Sequence, residues 1–440
     1  MDASEYIEGV TAQMRCKKAR AMVARELADH IEDQKLSYIE KGMEPAEAET
    51  EAVRQMGDAV EVGVQMDRIH KPRMDVKLLV IVGIFSVAAC FFQSMVFQAQ
   101  NADGSFFGRI SDTVFPVVFG LLLMTGILFL DYTWLGKKPV AVWVALCLLL
   151  PVFFNEGMML TIGNVTLLDY RVAGSISRYV MFALTLPAYG GLIYHYRKKG
   201  WKGFILCLVW LGVSAYVNMV TSGRLLFVLM NCLACLLLLT LAVAKKWFTL
   251  PRIPALAALW LTIAASVGAF VSYILNFGAS YHADRLRAFA MGEASYTTAA
   301  MRDILQNLQL VGQGGSRYSL SSAEFPQSSF PWDGASSFLL IADQLGIAAV
   351  ILVGAGLAVL FTVMAAGVSK QKSVLGGLTA AACLLGLLVP AIFHILNNLT
   401  IMPYADAYIP FLYPGWIVNA SCYTLLGLYL SVYRNQDIVA

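Results

Sequence analysis

Ten continuous runs of apolar residues follow one another along this 440-residue chain, and they limit what it can fold into. Runs of about 20 residues are long enough to cross the ~30 Å hydrocarbon core of a bilayer as helices. The strands of a membrane barrel would alternate in polarity every second residue, and these runs do not. We therefore predict an all-α, polytopic membrane protein with about ten transmembrane helices. Their predicted starts lie near Val76, Thr113, Pro139, Tyr179, Gly203, Leu225, Ala255, Phe338, Val374 and Gly415.

Residues 1–72 differ from the rest because they are charged and amphipathic, and their apolar residues recur at helical spacing. Pro45 suits the first turn of a helix, and Gly57 followed by Asp58 predicts the end of one helix and the cap of the next. The segment resembles the helical permease-prefix or HAAS-type domains found ahead of bacterial membrane proteins. Because no signal peptide opens the chain, we expect this domain to be cytoplasmic, ahead of a transmembrane domain over residues 76–436.

The distribution of basic residues predicts the orientation of the spans. With the N-terminus inside, every predicted inner loop is basic and no predicted outer loop contains lysine, as the positive-inside rule requires. Both termini are then cytoplasmic, and a long polar loop over residues 278–335 lies outside the cytoplasm. The inner-loop residues are Lys137, Lys138, Arg197, Lys198, Lys199, Lys202, Lys245, Lys246, Arg252, Lys370 and Lys372, with Arg434 after the last span.

Cofactor and metal chemistry leave no signature in the sequence. Seven of the eight cysteines fall within apolar spans. The Cys232–Cys235 pair is more simply explained as two small apolar side chains that face lipid or a neighbouring helix than as a redox or metal pair. No nucleotide-binding loop or nucleophile elbow is present. We predict no cofactor, no metal ion and no nucleic-acid partner.

The outer loop and the end of the chain carry motifs of a known family. The residues 285–289 read RLRAF, 308–315 read LQLVGQGG, and 330–346 read FPWDGASSFLLIADQLG. Together with the last loop and helix from Met402, these segments resemble the FtsW/RodA/SpoVE (SEDS) proteins of the bacterial cytoplasmic membrane. The resemblance covers about the last third of the chain. It implies ten helices and a role in peptidoglycan synthesis for division, shape or sporulation, with polymerisation of lipid II outside the membrane. It also implies contact with membrane lipids and with a transpeptidase-type penicillin-binding protein.

The resemblance also indicates candidate site residues. Ser337 occupies the position of the family's essential aspartate, and a serine hydroxyl is not a base near neutral pH. Asp333, four residues earlier, could substitute for that acid, although an aspartate there is more simply explained as the cap of the following helix. Arg285 and Arg287, on the RLRAF motif, could bind the diphosphate of the substrate, or could instead contact anionic headgroups. Asp343 is expected to make a structural polar contact with a neighbouring helix.

Two functions of different class follow. In the first, the chain is a lipid II glycosyltransferase with a rearranged acid. In the second, it is a catalytically degenerate relative that binds a lipid-linked precursor or a partner protein. A third interpretation, a transporter of the precursor, rests on the permease-prefix resemblance alone, and the spans contain few charges to support it.

Overall fold

The computed structural model confirms an all-α, polytopic membrane protein, and one short hairpin is its main exception. That hairpin pairs β1 (Leu160–Ile162) with β2 (Val165–Leu168) in antiparallel fashion. The structure describes residues 2–70, 72–100, 106–153, 160–162, 165–168, 170–222, 225–277, 284, 287, 291–293, 295–316, 318, 334–402, 407–413 and 415–436.

Contacts divide the chain into two compact units. The first comprises Met1–Asp75 with the short segments Gln371–Ser373 and Val432–Ala440, and the second comprises Val76–Lys370 and Val374–Ser431. The first unit contains four helices: α1 (Ala3–Ala12), α2 (Lys17–Glu40), α3 (Pro45–Gln55) and α4 (Ala59–Ile69).

Both predicted helix signals in the first unit are confirmed. Pro45 is the first residue of α3, and Asp58 caps α4 by accepting hydrogen bonds from the backbone N–H groups of Val60 and Glu61 at 2.9 Å. Gly57, just before that cap, has φ +87°, which favours glycine. Gly63 lets α4 approach α1, since a Cβ there would lie 2.6 Å from the Val10 carbonyl oxygen. The buried core of this unit comprises Tyr6, Val10, Met14, Ala19, Val23, Leu27, Ile31, Ala52, Val53 and Ala59.

A polar contact joins the helices α1, α2 and α3 of this unit. Lys35 of α2 donates to Glu49 of α3 at 2.7 Å, and the backbone N–H of Ala3 donates to the same carboxylate at 3.4 Å. The hydrogen bond from Lys35 lowers the pKa of the Glu49 carboxyl below its ordinary value. The stabilisation from this pair is therefore present above the ordinary carboxyl pKa and is lost as the pH falls through the lowered one.

Asp67→Ala is expected to destabilise the first unit by about 2 kcal/mol. Asp67 is 7% exposed and accepts from the backbone N–H of Arg15 at 2.8 Å and from its Nε at 3.0 Å, so the substitution removes two hydrogen bonds that a buried carboxylate makes to Arg15. Glu51→Ala breaks an exposed pair with Arg54 and should cost less than about 0.5 kcal/mol. Hydrogen exchange in α1 and α4 of the full chain measures both changes. Equal effects of the two variants would contradict the prediction.

The second unit contains the long apolar helices. Among the residues that the structure describes, five stretches are long and apolar enough to cross a membrane: Val76–Met95, Gly200–Met219, Leu225–Ala244, Ile347–Ser369 and Val374–Asn398. The number of crossings remains a prediction. The described helices of this unit are α5 (Val76–Gln100), α6 (Phe106–Leu128), α7 (Trp134–Lys137), α8 (Pro139–Phe153), α9 (Tyr170–Tyr196), α10 (Gly200–Ser222), α11 (Leu225–Ala244), α12 (Arg252–Phe277), α13 (Tyr296–Gln306), α14 (Ser337–Leu345), α15 (Ile347–Ser369), α16 (Val374–Asn398) and α17 (Trp416–Arg434).

Helix α9 lies at the centre of the second unit and packs against α8, α10, α11 and α16. Buried polar side chains tie three of these helices together. Thr185 of α9 donates to Asn231 of α11 at 3.2 Å, and the Asn231 amide donates to Ser214 of α10 at 3.2 Å. Side-chain hydrogen bonds of this kind join neighbouring helices where no water is present to compete for them.

The predicted eighth span is shorter than the sequence suggested. Its apolar run starts near Phe338, but the structure divides that run at Gly346 into the nine-residue helix α14 and the 23-residue helix α15. Gly346 has φ +96° and ψ 170°, a conformation that is almost restricted to glycine. The span therefore begins at Ile347, and α14 is a separate element between it and the outer loop.

Candidate functional site

The candidate site lies at the start of α14, at the end of the polar loop over residues 278–335 that is predicted to lie outside the cytoplasm. Gly334–Ser336 form a single 3-10 turn, and these three residues and Ser337 are all buried. The Ser337 hydroxyl, at the position that the resemblance assigns to an acid, donates to the carbonyl oxygen of Gly334 at 2.7 Å. Because that hydroxyl is buried and already donates its proton to a backbone carbonyl, it does not supply a general base.

Two asparagines at the C-terminal end of α16 hold this turn in place. Asn397 and Asn398 both donate to the carbonyl oxygen of Ala335, at 3.2 and 2.9 Å. The Asn398 side-chain oxygen also accepts from the backbone N–H of Leu339 at 3.0 Å. Ser336, at the cap position of α14, makes no side-chain capping bond, so Asn398 provides that cap from 59 residues away.

His394 connects the same end of α16 to the last outer loop. Its Nδ1 lies 3.0 Å from the carbonyl oxygen of Ala407, and its ring meets Phe338 edge to face with centroids 5.4 Å apart. Its Nε2 is buried and has no hydrogen-bond partner among the residues that the structure describes. His394 is therefore an interior histidine with a partner for one of its two ring nitrogens.

Aromatic side chains cover the turn from the other side. Gly334 packs on the ring of Tyr413, since a Cβ there would lie 2.5 Å from two ring carbons. The hydroxyl of Tyr179 on α9 donates to that of Tyr413 at 3.3 Å, and the Tyr179 ring also meets Tyr408 edge to face. These contacts bring α9, the last loop and the turn before α14 to one place.

A strap of outer loop, residues 307–315, runs over the junction between α14 and α15. The N–H groups of the three glycines of this strap all donate to backbone carbonyls. Gly312 donates to Leu345 at 3.1 Å, Gly314 to the Asp343 carbonyl at 2.7 Å, and Gly315 to Asn307 at 3.1 Å. In return, the N–H groups of Ile347 and Ala348 donate to carbonyls of the strap at 3.0 Å. The strap therefore satisfies backbone groups at the end of α14 and at the start of α15.

Asp343 is fully buried under this strap. Its Oδ2 accepts from the side chain of Gln344 at 2.7 Å, and a Cβ on Gly314 would lie 2.9 Å from its Oδ1. The Asp343 backbone carbonyl also accepts from the N–H of Gly314 in the strap at 2.7 Å. The Asp343 side chain is 0% exposed, so it is not accessible to a substrate.

Of the remaining predicted site residues, Arg287 lies within the described part of the chain. Arg287 is exposed, donates to the carbonyl of Leu275 at 3.3 Å, and lies 3.5 Å from the Asp284 carboxylate. Asp333 and Arg285 lie outside the described residues. Among the residues that are described, no three His, Cys, Asp or Glu side chains are placed to share a metal ion.

Sequence reasoning did not identify Asn398 or Tyr413 as site residues. Two adjacent amides in an otherwise apolar helix are a detectable signal, because buried amides in a membrane require partners. The identity of those partners was not detectable, since the contacts join residues about 60 positions apart in the chain.

Comparison with known proteins defines the class as a polytopic membrane protein with the fold of RodA. A chain from a peptidoglycan synthase complex, described as coordinating polymerization and crosslinking, superposes with a TM-score of 0.60 and 14% identity over 82% of this chain and 98% of that one. The rod shape determining protein RodA of Thermus thermophilus gives a TM-score of 0.50 at 14% identity, and a mutant of it gives 0.50 at 15%. These cover 82% of this chain and 97% and 98% of theirs. No family model and no curated protein matches the sequence. The resemblance inferred from the last third of the chain is confirmed at the level of the fold.

Proposed function

We propose that this chain is a RodA-like protein of bacterial peptidoglycan synthesis that binds lipid II on the outer side of the cytoplasmic membrane. The observation that carries the proposal is the shared fold, which extends over 98% of the chain from a peptidoglycan synthase complex. The outer end of the fold supports it, because α9, α14, α16 and the last loop converge there on one ordered turn.

The proposal extends to topology and to partners. The helical segment over residues 1–72 is a cytoplasmic domain, the transmembrane domain spans 76–436, and both termini are cytoplasmic. A transpeptidase-type penicillin-binding protein is the expected protein partner, supported by the complex in which the similar chain was solved. The loop arginines Arg285 and Arg287 are the candidates for contacts with the diphosphate of lipid II.

Two catalytic states are compatible with this role, and Ser337 favours the inactive one. A glycosyl transfer from lipid II needs a general base for the acceptor hydroxyl. The Ser337 hydroxyl is 1% exposed and donates to Gly334, so it does not provide that base. We therefore propose a binding or regulatory protein as the first candidate and a polymerase that uses Asp333 as the second.

We expect the purified full chain to retain lipid II and to form no glycan strands from it. Retention is compared with that of undecaprenyl phosphate, which lacks the disaccharide, and strand formation is assayed beside an active RodA. Absence of any preference for lipid II would overturn the proposed function.

The variant Asp333→Asn separates the two candidates. If the unmodified chain forms strands and Asp333→Asn loses them by about 100-fold or more, the chain is a polymerase with a displaced acid. Ser337→Asp is not expected to restore strand formation in this structure. A carboxylate there would replace the hydroxyl that donates to the Gly334 carbonyl, and it would place a charge in a buried position. Strand formation by Ser337→Asp alone would show that the scaffold is otherwise intact for catalysis.

A further inference from the structure

Two predicted inner loops of the second unit lie side by side and form one basic surface. The first loop joins α9 to α10, and the second joins α11 to α12. The backbone N–H of Thr249 in the second loop donates to the carbonyl oxygen of Arg197 in the first at 3.3 Å. The rings of Phe204 and Phe248 also meet edge to face, with centroids 6.2 Å apart. The seven cations of this basic surface are Arg197, Lys198, Lys199, Lys202, Lys245, Lys246 and Arg252.

The positive charge of the basic surface is not balanced by nearby acids. The chain contains no aspartate or glutamate between Asp169 and Asp284. Within the described part of the chain, none of the seven cations makes an ion pair. Arg197 and Lys199 lie over neighbouring tyrosine rings, at 3.7 and 4.8 Å from the ring centroids, and the other five cations have no such contact among the described residues. The basic surface is therefore suited to an anionic ligand.

A pocket of about 590 Å³ lies within the basic surface, at the turn from α11 to α12. Lys246, Thr249 and Arg252 line it with two cations and one hydroxyl, and its other lining residues are apolar. An ammonium, a guanidinium and a hydroxyl are the groups with which proteins bind phosphate oxygens. The pocket therefore offers a phosphate two charges and a further hydrogen-bond donor.

Exposed apolar side chains continue from the pocket onto two predicted spans. Ile253 lines the pocket and is 82% exposed, and Trp260 and Leu261, two turns further along α12, are also exposed. On α10, Trp201 is exposed beside the cations of the first loop, and Ile205 is exposed one turn later. Tryptophan near the end of a span lies at the level of the lipid headgroups. The ligand therefore combines an anionic head with hydrocarbon, which a free phosphate or a soluble acidic protein does not.

Lys246 occupies a backbone position that favours glycine. It has φ +58° and ends α11 in a Schellman motif, in which the Trp247 N–H donates to Ala242 at 3.0 Å and the Lys246 N–H donates to Val243 at 3.1 Å. A lysine in this conformation is strained, whereas a glycine is not. The Lys246 side chain is exposed and makes no hydrogen bond or ion pair with the described residues. The strain is therefore not offset within the described fold, which points to a ligand for this cation.

We propose that this pocket binds the phosphodiester headgroup of an anionic phospholipid, with the acyl chains of that lipid along the exposed apolar faces of α10 and α12. Lys246 and Arg252 contact the phosphate, and the Thr249 hydroxyl donates to it. Because these loops are predicted to be cytoplasmic, the lipid belongs to the inner leaflet of the membrane. The site does not depend on the proposed binding of lipid II.

The test measures lipid retention by the purified full chain in native mass spectrometry. Dioleoyl phosphatidylglycerol is the anionic probe, and dioleoyl phosphatidylcholine is the zwitterionic probe with the same chains. The double variant Lys246→Gly, Arg252→Gln removes both cations of the pocket. We expect it to bind phosphatidylglycerol about thirtyfold more weakly, the effect of losing two Lys/Arg contacts with an anionic headgroup. Binding of phosphatidylcholine should be unchanged.

The double variant Lys137→Gln, Lys138→Gln is the matched control. It removes the same charge from another predicted inner loop, and neither lysine lines the pocket. It should leave the affinity for phosphatidylglycerol nearly unchanged. Glycine relieves the strain at position 246, so Lys246→Gly alone should not lower the melting temperature. Weaker binding by that variant therefore does not result from unfolding.

Four results would overturn the phospholipid site. Equal affinity of the unmodified chain for the two lipids would show that the charge of the headgroup is not recognised. An equal loss of affinity in the control variant would assign the preference to net charge rather than to the pocket. Displacement of phosphatidylglycerol by equimolar inorganic phosphate would identify a free anion as the ligand, and displacement by a polyglutamate peptide would identify an acidic protein.

Discussion

Gly346→Ala is expected to displace the strap of residues 307–315 and to lower the free energy of unfolding by about 3–5 kcal/mol. At φ +96° and ψ 170° an alanine is strained by about 1–3 kcal/mol. Its Cβ would also lie 2.6 Å from the carbonyl oxygen of Leu310 and 2.7 Å from the Cα of Val311. Both are backbone atoms of the strap, so relief requires the strap itself to move.

Movement of the strap breaks the hydrogen bonds that end α14 and begin α15. The Gly312 N–H bonds to Leu345, and the N–H groups of Ile347 and Ala348 bond to Gln309 and Leu310. Each such bond contributes about 0.5–1.5 kcal/mol, and more where no water replaces it. A loss of this size is a large part of the ~5–15 kcal/mol by which a typical protein is stable.

Gly312→Ala is the matched control for this prediction. Gly312 also has a positive φ, +95°, but a Cβ there meets no atom within 4 Å. It should cost only about 1 kcal/mol, from the backbone conformation alone. Thermal unfolding of the solubilised full chain and hydrogen exchange over residues 307–316 measure both variants. A melting temperature for Gly346→Ala no lower than that for Gly312→Ala would show that the strap is not held as described.

The division of the apolar run at Gly346 also shows what the sequence could predict. Long apolar runs identify helices because burial in lipid needs nothing more than length and composition, and the local caps at Pro45 and Asp58 are read from adjacent residues. The break at Gly346 was missed because one glycine is tolerated in apolar helices. The helix ends at Gly346 because the strap, which lies more than 30 residues earlier in the chain, forms hydrogen bonds with the backbone on both sides of that glycine.

The candidate site was less predictable for a related reason. Ser337 was identified by its motif, but its bond to Gly334 depends on a 3-10 turn that the sequence does not signal. The cap that Asn398 supplies to α14 depends on a contact between distant helices. Local patterns do not specify such pairs, although an amide in an apolar helix indicates that some partner exists.

Asn398→Leu is expected to loosen the turn before α14 and to reduce retention of lipid II. Leucine is close to asparagine in size but can neither accept from the Leu339 N–H nor donate to the carbonyls of Ala335 and His394. Loss of a helix cap costs about 1 kcal/mol, and a buried group without its partner costs about 1–3 kcal/mol more. Local opening at the start of α14 should therefore become easier by roughly 2–4 kcal/mol.

The rate of hydrogen exchange at the Leu339 amide measures this easier local opening directly. An easier opening of that size corresponds to exchange about 30-fold to several hundred-fold faster. Asn398→Asp keeps an acceptor for Leu339 but loses the donors to Ala335 and His394, so the amide should keep more of its protection than in the leucine variant. Asn276→Leu is the control, because Asn276 is exposed and, among the described residues, its amide bonds to Ser272 of the same helix α12. Unchanged exchange at Leu339 in Asn398→Leu would mean that α14 is capped by other groups, and the amide of Asn398 would then have no role in ordering the site.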